Sequence, residues 1–212
     1  MARKKLVDYN MANITEAAET LFFKKGVEKT TMDEIAAEAE CSKSTMYVYF
    51  KSKDDIFNHL VGKYMEELYN LISSEIDRAD KDNRGDYDTF LAICNIIADF
   101  YHKYPLFFDS ITGGINADEK TLNNDLAMMK IAIVTEKMND LVAGFLKRGI
   151  EAGNIDPNLD ITVAVYTLWT SVSGVILTAN RKEEYFKTKL KMSKSEYMNK
   201  AFGMLYSSVM RK

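Results

Sequence analysis

Ser42, Lys43, Ser44, Thr45, Tyr47 and Tyr49 bring hydroxyl groups and a cation into one short stretch, with Lys51 and Lys53 close behind. No acid interrupts residues 41–53. Short polar groups and a cation on one helical face can reach base edges and phosphate oxygens of duplex DNA. That chemistry is recognition, not bond breaking. The rest of the chain offers little for catalysis: it has no GxGxxG, Walker loop, HExxH or GxSxG, and its two histidines are His59 and His102. Asp55 and His59 share a helix face at i, i+4, which a surface pair explains. No catalytic residue, metal ligand or cofactor is expected, and the chain does not read as an enzyme.

Such residues need a short helix held firmly against its neighbours. Thr31-Met-Asp-Glu34 has the form of a capping box, and Met32, Ile35, Ala36 and Ala39 continue as an inner face. After a break at Glu40-Cys41, Ser42 can cap a second short helix reaching Tyr49. Small Ala36 and Ala39 allow the two helices to cross closely. Ahead of them, Ile14, Ala17, Ala18, Leu21 and Phe22 form one helical stripe, which Lys24-Lys25-Gly26 ends. Ser52 to Asp55 opens a fourth helix, expected to run to about Ala79. This periodicity fits a DNA reader, and it equally fits any two short amphipathic helices.

With 47% hydrophobic and 28% charged residues and only two prolines, the chain is expected to be globular and mostly helical. Further helices are expected over 87–102, 104–112, 118–151, 158–179 and 193–211, so the fold class is all-α with about nine helices. Net charge does not advertise a DNA partner: it is −3 overall, and the acids and bases of residues 1–55 nearly cancel. No apolar run approaches the roughly 18–20 residues of a membrane span, and the N-terminus lacks a signal-peptide pattern. A cytoplasmic protein without a membrane partner is expected. Cys41 and Cys94 read as free thiols of a reducing compartment, and Asn13-Ile14-Thr15 as a chance glycosylation sequon.

Thr30-Thr-Met-Asp-Glu-Ile-Ala-Ala37 followed by Glu40-Cys-Ser-Lys-Ser-Thr-Met-Tyr-Val-Tyr-Phe-Lys-Ser-Lys-Asp-Asp-Ile-Phe57 resembles the N-terminal domain of the TetR family of transcriptional repressors. The close match covers about residues 10–60. Glu151-Ala-Gly-Asn-Ile-Asp156, with Leu168-Trp169 and Gly174 after it, resembles more loosely the family's turn into its eighth helix. The resemblance implies a three-helix helix-turn-helix head over 1–52 and a helical-bundle sensor and dimerisation domain over 53–212. It implies that Thr31, Tyr47, Tyr49 and Lys53 anchor phosphates, that Lys43, Ser44 and Thr45 face bases, and that Ser42 belongs to the same surface. Met46, Phe50 and Ile35 are expected in the core. Arg3, Lys4 and Lys5 form either a DNA-contacting arm or a solvated tail. Three departures bear on base preference: Glu40 and Ser44 stand where the family has Gly, and Tyr49 where His is common. A non-Gly residue held left-handed costs about 1 kcal/mol.

The resemblance further implies a homodimer that binds a palindromic operator and releases it when a small molecule enters the sensor. Val165, Leu168, Val172 and Ile176 form one stripe, and Phe202, Leu205 and Val209 another; both are expected to meet a second subunit, or else to be core of one chain. Phe100, Tyr104, Phe107, Phe108, Met128, Tyr166 and Trp169 are pocket candidates for a small apolar or aromatic effector, or else core. The fourth helix joins head to sensor, so a ligand that shifts it changes the separation of two heads that must sit about 34–36 Å apart. A relative controlled by a protein partner, and thiol sensing through Cys41, are the alternative modes of control.

Overall fold

The abundance of Ala, Leu, Met and long charged residues favours helix, and the computed structural model is all-α. It describes residues 2–112 and 125–211, with only the backbone of residues 2–6 and 8. The helices there are α1 (Ala2–Lys25), α2 (Met32–Glu38), α3 (Lys43–Tyr49), α4 (Lys53–Lys81), α5 (Asp86–Lys103), α6 (Pro105–Thr112), α7 (Leu126–Glu151), α8 (Ile161–Arg181), α9 (Glu183–Lys189) and α10 (Lys194–Ser207). The sequence reading lacks α9, a seven-residue helix without a side-chain cap and with Phe186 as its buried residue. One apolar anchor in seven residues leaves no period to read. The expected start of the seventh helix at 118, like the side chains of Arg3, Lys4 and Lys5, lies outside the described residues.

The described residues fall into two units. One takes residues up to Tyr64 together with 125–132; the other takes 65–112 and 133–211. The division falls inside α4, whereas the sequence reading places it at 52/53. The core of the first unit draws Ile14, Ala18 and Phe22 from α1, Ile35 from α2, Met46 from α3, and Ile56 and Leu60 from α4. Gly26, at φ 84, ends α1, its N–H donating to Phe22 O at 2.9 Å.

In the second unit α8 packs against α5, α6, α9 and α10. This helix corrects the expectation that no stretch is apolar enough to span a membrane: its most apolar 18 residues have a mean hydropathy of 1.6. Ala164, Val165, Leu168, Val172, Ile176 and Ala179 turn part of that apolarity into the bundle, while Val163 and Tyr166 stay exposed. The expected subunit-contact stripes also need correction. Val165, Leu168, Val172, Ile176, Phe202 and Val209 are buried within one chain, and Leu205 is half-buried. Helical period marks an apolar face but cannot say whether it meets the same chain or another. The aromatic run is likewise packing. Phe107 and Phe108 are fully buried and Phe100 nearly so, with Phe100 against Tyr104 at 4.9 Å and Tyr101 edge-on to Phe108 at 5.0 Å.

The C-terminus is tied down by Asp156 N–H donating to Val209 O (3.0 Å) and Arg211 N–H to Asn154 O (3.1 Å). This turn demands glycine at 149, where an added Cβ would lie 2.5 Å from Cδ1 of the fully buried Ile155. Gly149→Ala is expected to destabilise the protein by about 1–2 kcal/mol, overpacking outweighing the helix propensity gained. Urea unfolding checks this, and an unchanged or raised midpoint contradicts it.

Candidate nucleic-acid interface

The helix-turn-helix is built from caps. Thr31 Oγ1 accepts from Glu34 N–H (3.3 Å) and donates to Glu34 Oε2 (2.8 Å), while Thr31 N–H donates to the same oxygen (2.9 Å). At the other end of α2, Cys41 N–H donates to Ala36 O (3.0 Å) and Glu40 N–H to Ala37 O (3.2 Å). This paired closure needs a left-handed residue between them, and Glu40 supplies it at φ 51. Gly153, at φ 80, serves the same closure after α7 without a Cβ. Ser42 then caps α3, its Oγ accepting from Thr45 N–H at 3.0 Å and lying 2.8 Å from both Ser44 Oγ and Thr45 Oγ1.

Met46 turns α3 inward and is fully buried, as is Phe50 just after the helix apart from 2% of its surface. At 100° per residue, Ser44 and Val48 stand opposite Met46, with Tyr47 beside them. Ser44, Lys43, Tyr47 and Val48 are exposed and Thr45 is half-buried. Lys43 Nζ pairs with Asp33 Oδ2 of α2 at 2.5 Å, both side chains lying more than half exposed. Such a pair is worth about 0–1 kcal/mol and is readily given up to another acceptor.

The residues expected to hold phosphates have distinct surroundings. Tyr47 projects freely, with half its surface exposed. Tyr49 is half-buried, and its hydroxyl accepts from Asn10 Nδ2 at 3.0 Å, tying α3 to α1. Lys53 Nζ donates to the carbonyls of Val27 (3.1 Å) and Glu28 (3.2 Å), clamping the start of α4 to the loop before α2. Thr31 and Ser42 use their hydroxyls as caps. Sequence reasoning missed Asn10, for which no periodic signal exists, and Val48, which its place two residues after the inward Met46 would have marked. Burial pushes the Cys41 thiol up, away from the thiolate that thiol sensing requires.

Residues 14–60 match the model of the family described as bacterial regulatory proteins, tetR family. Over that stretch, which holds all of α2 and α3, the chain is similar to the DNA-binding segment of that family. YfiR of Bacillus subtilis, described as an uncharacterized HTH-type transcriptional regulator, is 37% identical over 60 residues, 28% of this chain and 29% of that protein. The fatty acid metabolism regulator protein of the same organism is 24% identical over 169 residues, covering 78% of this chain and 80% of that one. Among solved structures, FadR from Bacillus subtilis in complex with stearoyl-CoA superposes with a TM-score of 0.66 at 18% identity, over 93% of this chain and 98% of that chain. The chain thus shares the fold of that regulator across nearly its whole length.

In the second unit two cavities adjoin Trp169. One, of about 40 Å³, is lined wholly by apolar groups, including Ile76, Phe90, Ile97 and Phe145. The other, of about 150 Å³, adds Thr135, Asn139, Tyr166 and Thr170. Of the expected pocket residues, Tyr166 and Trp169 line these cavities; Phe100, Phe107 and Phe108 are core, and Met128 lies at the start of α7 in the first unit.

Two outcomes follow for the head. Glu40→Gly relieves the left-handed Cβ and is expected to raise stability by up to about 1 kcal/mol in urea unfolding; a loss of stability contradicts the strain. Hydrogen bonds from Lys25 and Thr31 hold the Glu34 carboxyl at about 2, below its ordinary 4.5. A depressed carboxyl stabilises the fold above pH 4.5, and that contribution disappears as pH falls through 2. Thermal melts of Glu34→Gln are expected to lose stability at pH 7 and to depend less on pH between 4.5 and 2; parallel profiles contradict the cap's role.

Proposed function

We propose that this protein is a ligand-responsive transcriptional repressor that acts in the cytoplasm, binding a palindromic duplex operator as a homodimer through its helix-turn-helix heads. The observation that carries the reading is the outward face of α3: exposed Lys43, Ser44, Tyr47 and Val48 stand on a helix whose other side is locked by Met46. Lys43, Ser44 and Thr45 meet bases, and Tyr47 meets phosphate. Tyr49 and Lys53 hold the helix in place, with capacity left to donate to phosphate once docked.

The homodimer is supported by the apolar surface that α8 and α10 leave uncovered, where Val163, Tyr166 and Met204 are exposed and nothing approaches Gly174. Joining these helices across a two-fold axis gives a four-helix contact. The effector is an apolar molecule, supported by the dry lining beside Trp169. Both cavities fall below the roughly 300 Å³ of a usual ligand site, so entry requires side chains such as Trp169 to move. A relative's fold is known with stearoyl-CoA, which makes long-chain acyl compounds the first to try. An effector favouring the released form by about 2–3 kcal/mol weakens operator binding some 30–150-fold.

Selection from random duplex DNA is expected to enrich a palindrome; no enrichment over non-specific DNA overturns the reading. On the enriched duplex, Tyr47→Phe weakens binding across all sequences, whereas Lys43→Ala also changes base preference. Light scattering is expected to give a dimer that Met204→Arg converts to monomer, and a wild-type monomer at micromolar concentration overturns the homodimer. Trp169 is the sole tryptophan, so its emission reports on the cavity. Stearoyl-CoA is expected to shift that emission and release the duplex, and an unchanged spectrum contradicts an acyl effector.

A further inference from the structure

Val48 is 77% exposed, and its place in α3 gains nothing for folding. Valine is β-branched and a poorer helix former than Ala, Lys or Arg, and an apolar side chain in water contributes no burial. Its position is specific. With Met46 fully buried, Ser44 and Val48 lie one turn apart along the middle of the outward face. Ser44 Oγ is 2.8 Å from the cap oxygen of Ser42, and the Lys43 ammonium is held by Asp33. The polar members of the face therefore start α3 tied to the protein, while Val48 presents two methyl groups without a partner toward whatever α3 meets.

In a major groove, the apolar feature at a base edge is the 5-methyl group of thymine. We propose that Val48 is a specificity-determining residue, packing its methyl groups on one thymine methyl in each half-site. This rests on the DNA-reading function above. The operator then carries a thymine at one fixed position per half-site, read by shape and not by hydrogen bonding.

Deoxyuridine differs from thymidine only by lacking that methyl group, so it isolates the contact. The test uses the full-length protein and the duplex enriched from random DNA, with thymine replaced by uracil at symmetric positions, one pair at a time. One pair is expected to weaken binding by about four-fold per half-site, the worth of one buried methyl-sized group, while the others leave it unchanged. Val48→Ala is expected to bind the thymine and uracil duplexes alike, with unaltered affinity for random DNA showing that the head is folded. Tight operator binding that no uracil pair alters, or a Val48→Ala variant that still distinguishes the two duplexes, overturns the role of Val48 and leaves DNA reading intact. Failure to enrich any duplex overturns both.

Discussion

Seven residues do not make a stable helix in water, where about 12–15 are needed even for favourable sequences. The candidate reading helix α3 has seven, and so has α2 before it. Their persistence depends on what grips them from outside: caps at Thr31 and Ser42, and Ile35, Met46 and Phe50 sunk in the core. Phe50 is further pinned edge-on by the His59 ring of α4 at 5.5 Å. Because every anchor pulls α3 by one side, the opposite side is left clear. The same constraint that makes the helix possible aims Ser44, Tyr47 and Val48 outward.

The head balances its charges in the same way. Lys25 pairs with Glu34, Lys43 with Asp33, Lys53 with Glu28 and Lys63 with Glu19. A nearly neutral head has little sequence-independent attraction for phosphate, the interaction that dominates non-specific binding. Exposed pairs of this kind hold weakly, so docking can exchange the Asp33 carboxylate for an acceptor on a base edge at Lys43 with small loss. Lys53 differs, since backbone carbonyls hold it and its removal would loosen the loop before α2.

Much of this was legible in the sequence. The capping box at Thr31 and the cap at Ser42 are both formed. Caps are local, so residue type and spacing determine them. The strained turn at Glu40, left-handed at φ 51, was legible through the family resemblance, which has Gly there. What escaped depends on contacts distant in sequence. Asn10 reaches Tyr49 across 39 residues, Lys53 reaches back to Val27, and the α8 and α10 stripes proved to be core of one chain. Apolar period locates a buried face without naming what buries it, which also turned the aromatic run around Pro105 into packing.

The central claim is that the outward face of α3 docks on duplex DNA, and hydrogen exchange with and without the enriched duplex tests it most directly. The account predicts slowed exchange concentrated in peptides covering 42–53 when the duplex is bound. Bound duplex that leaves those peptides unchanged, or protects only residues beyond 65, contradicts it.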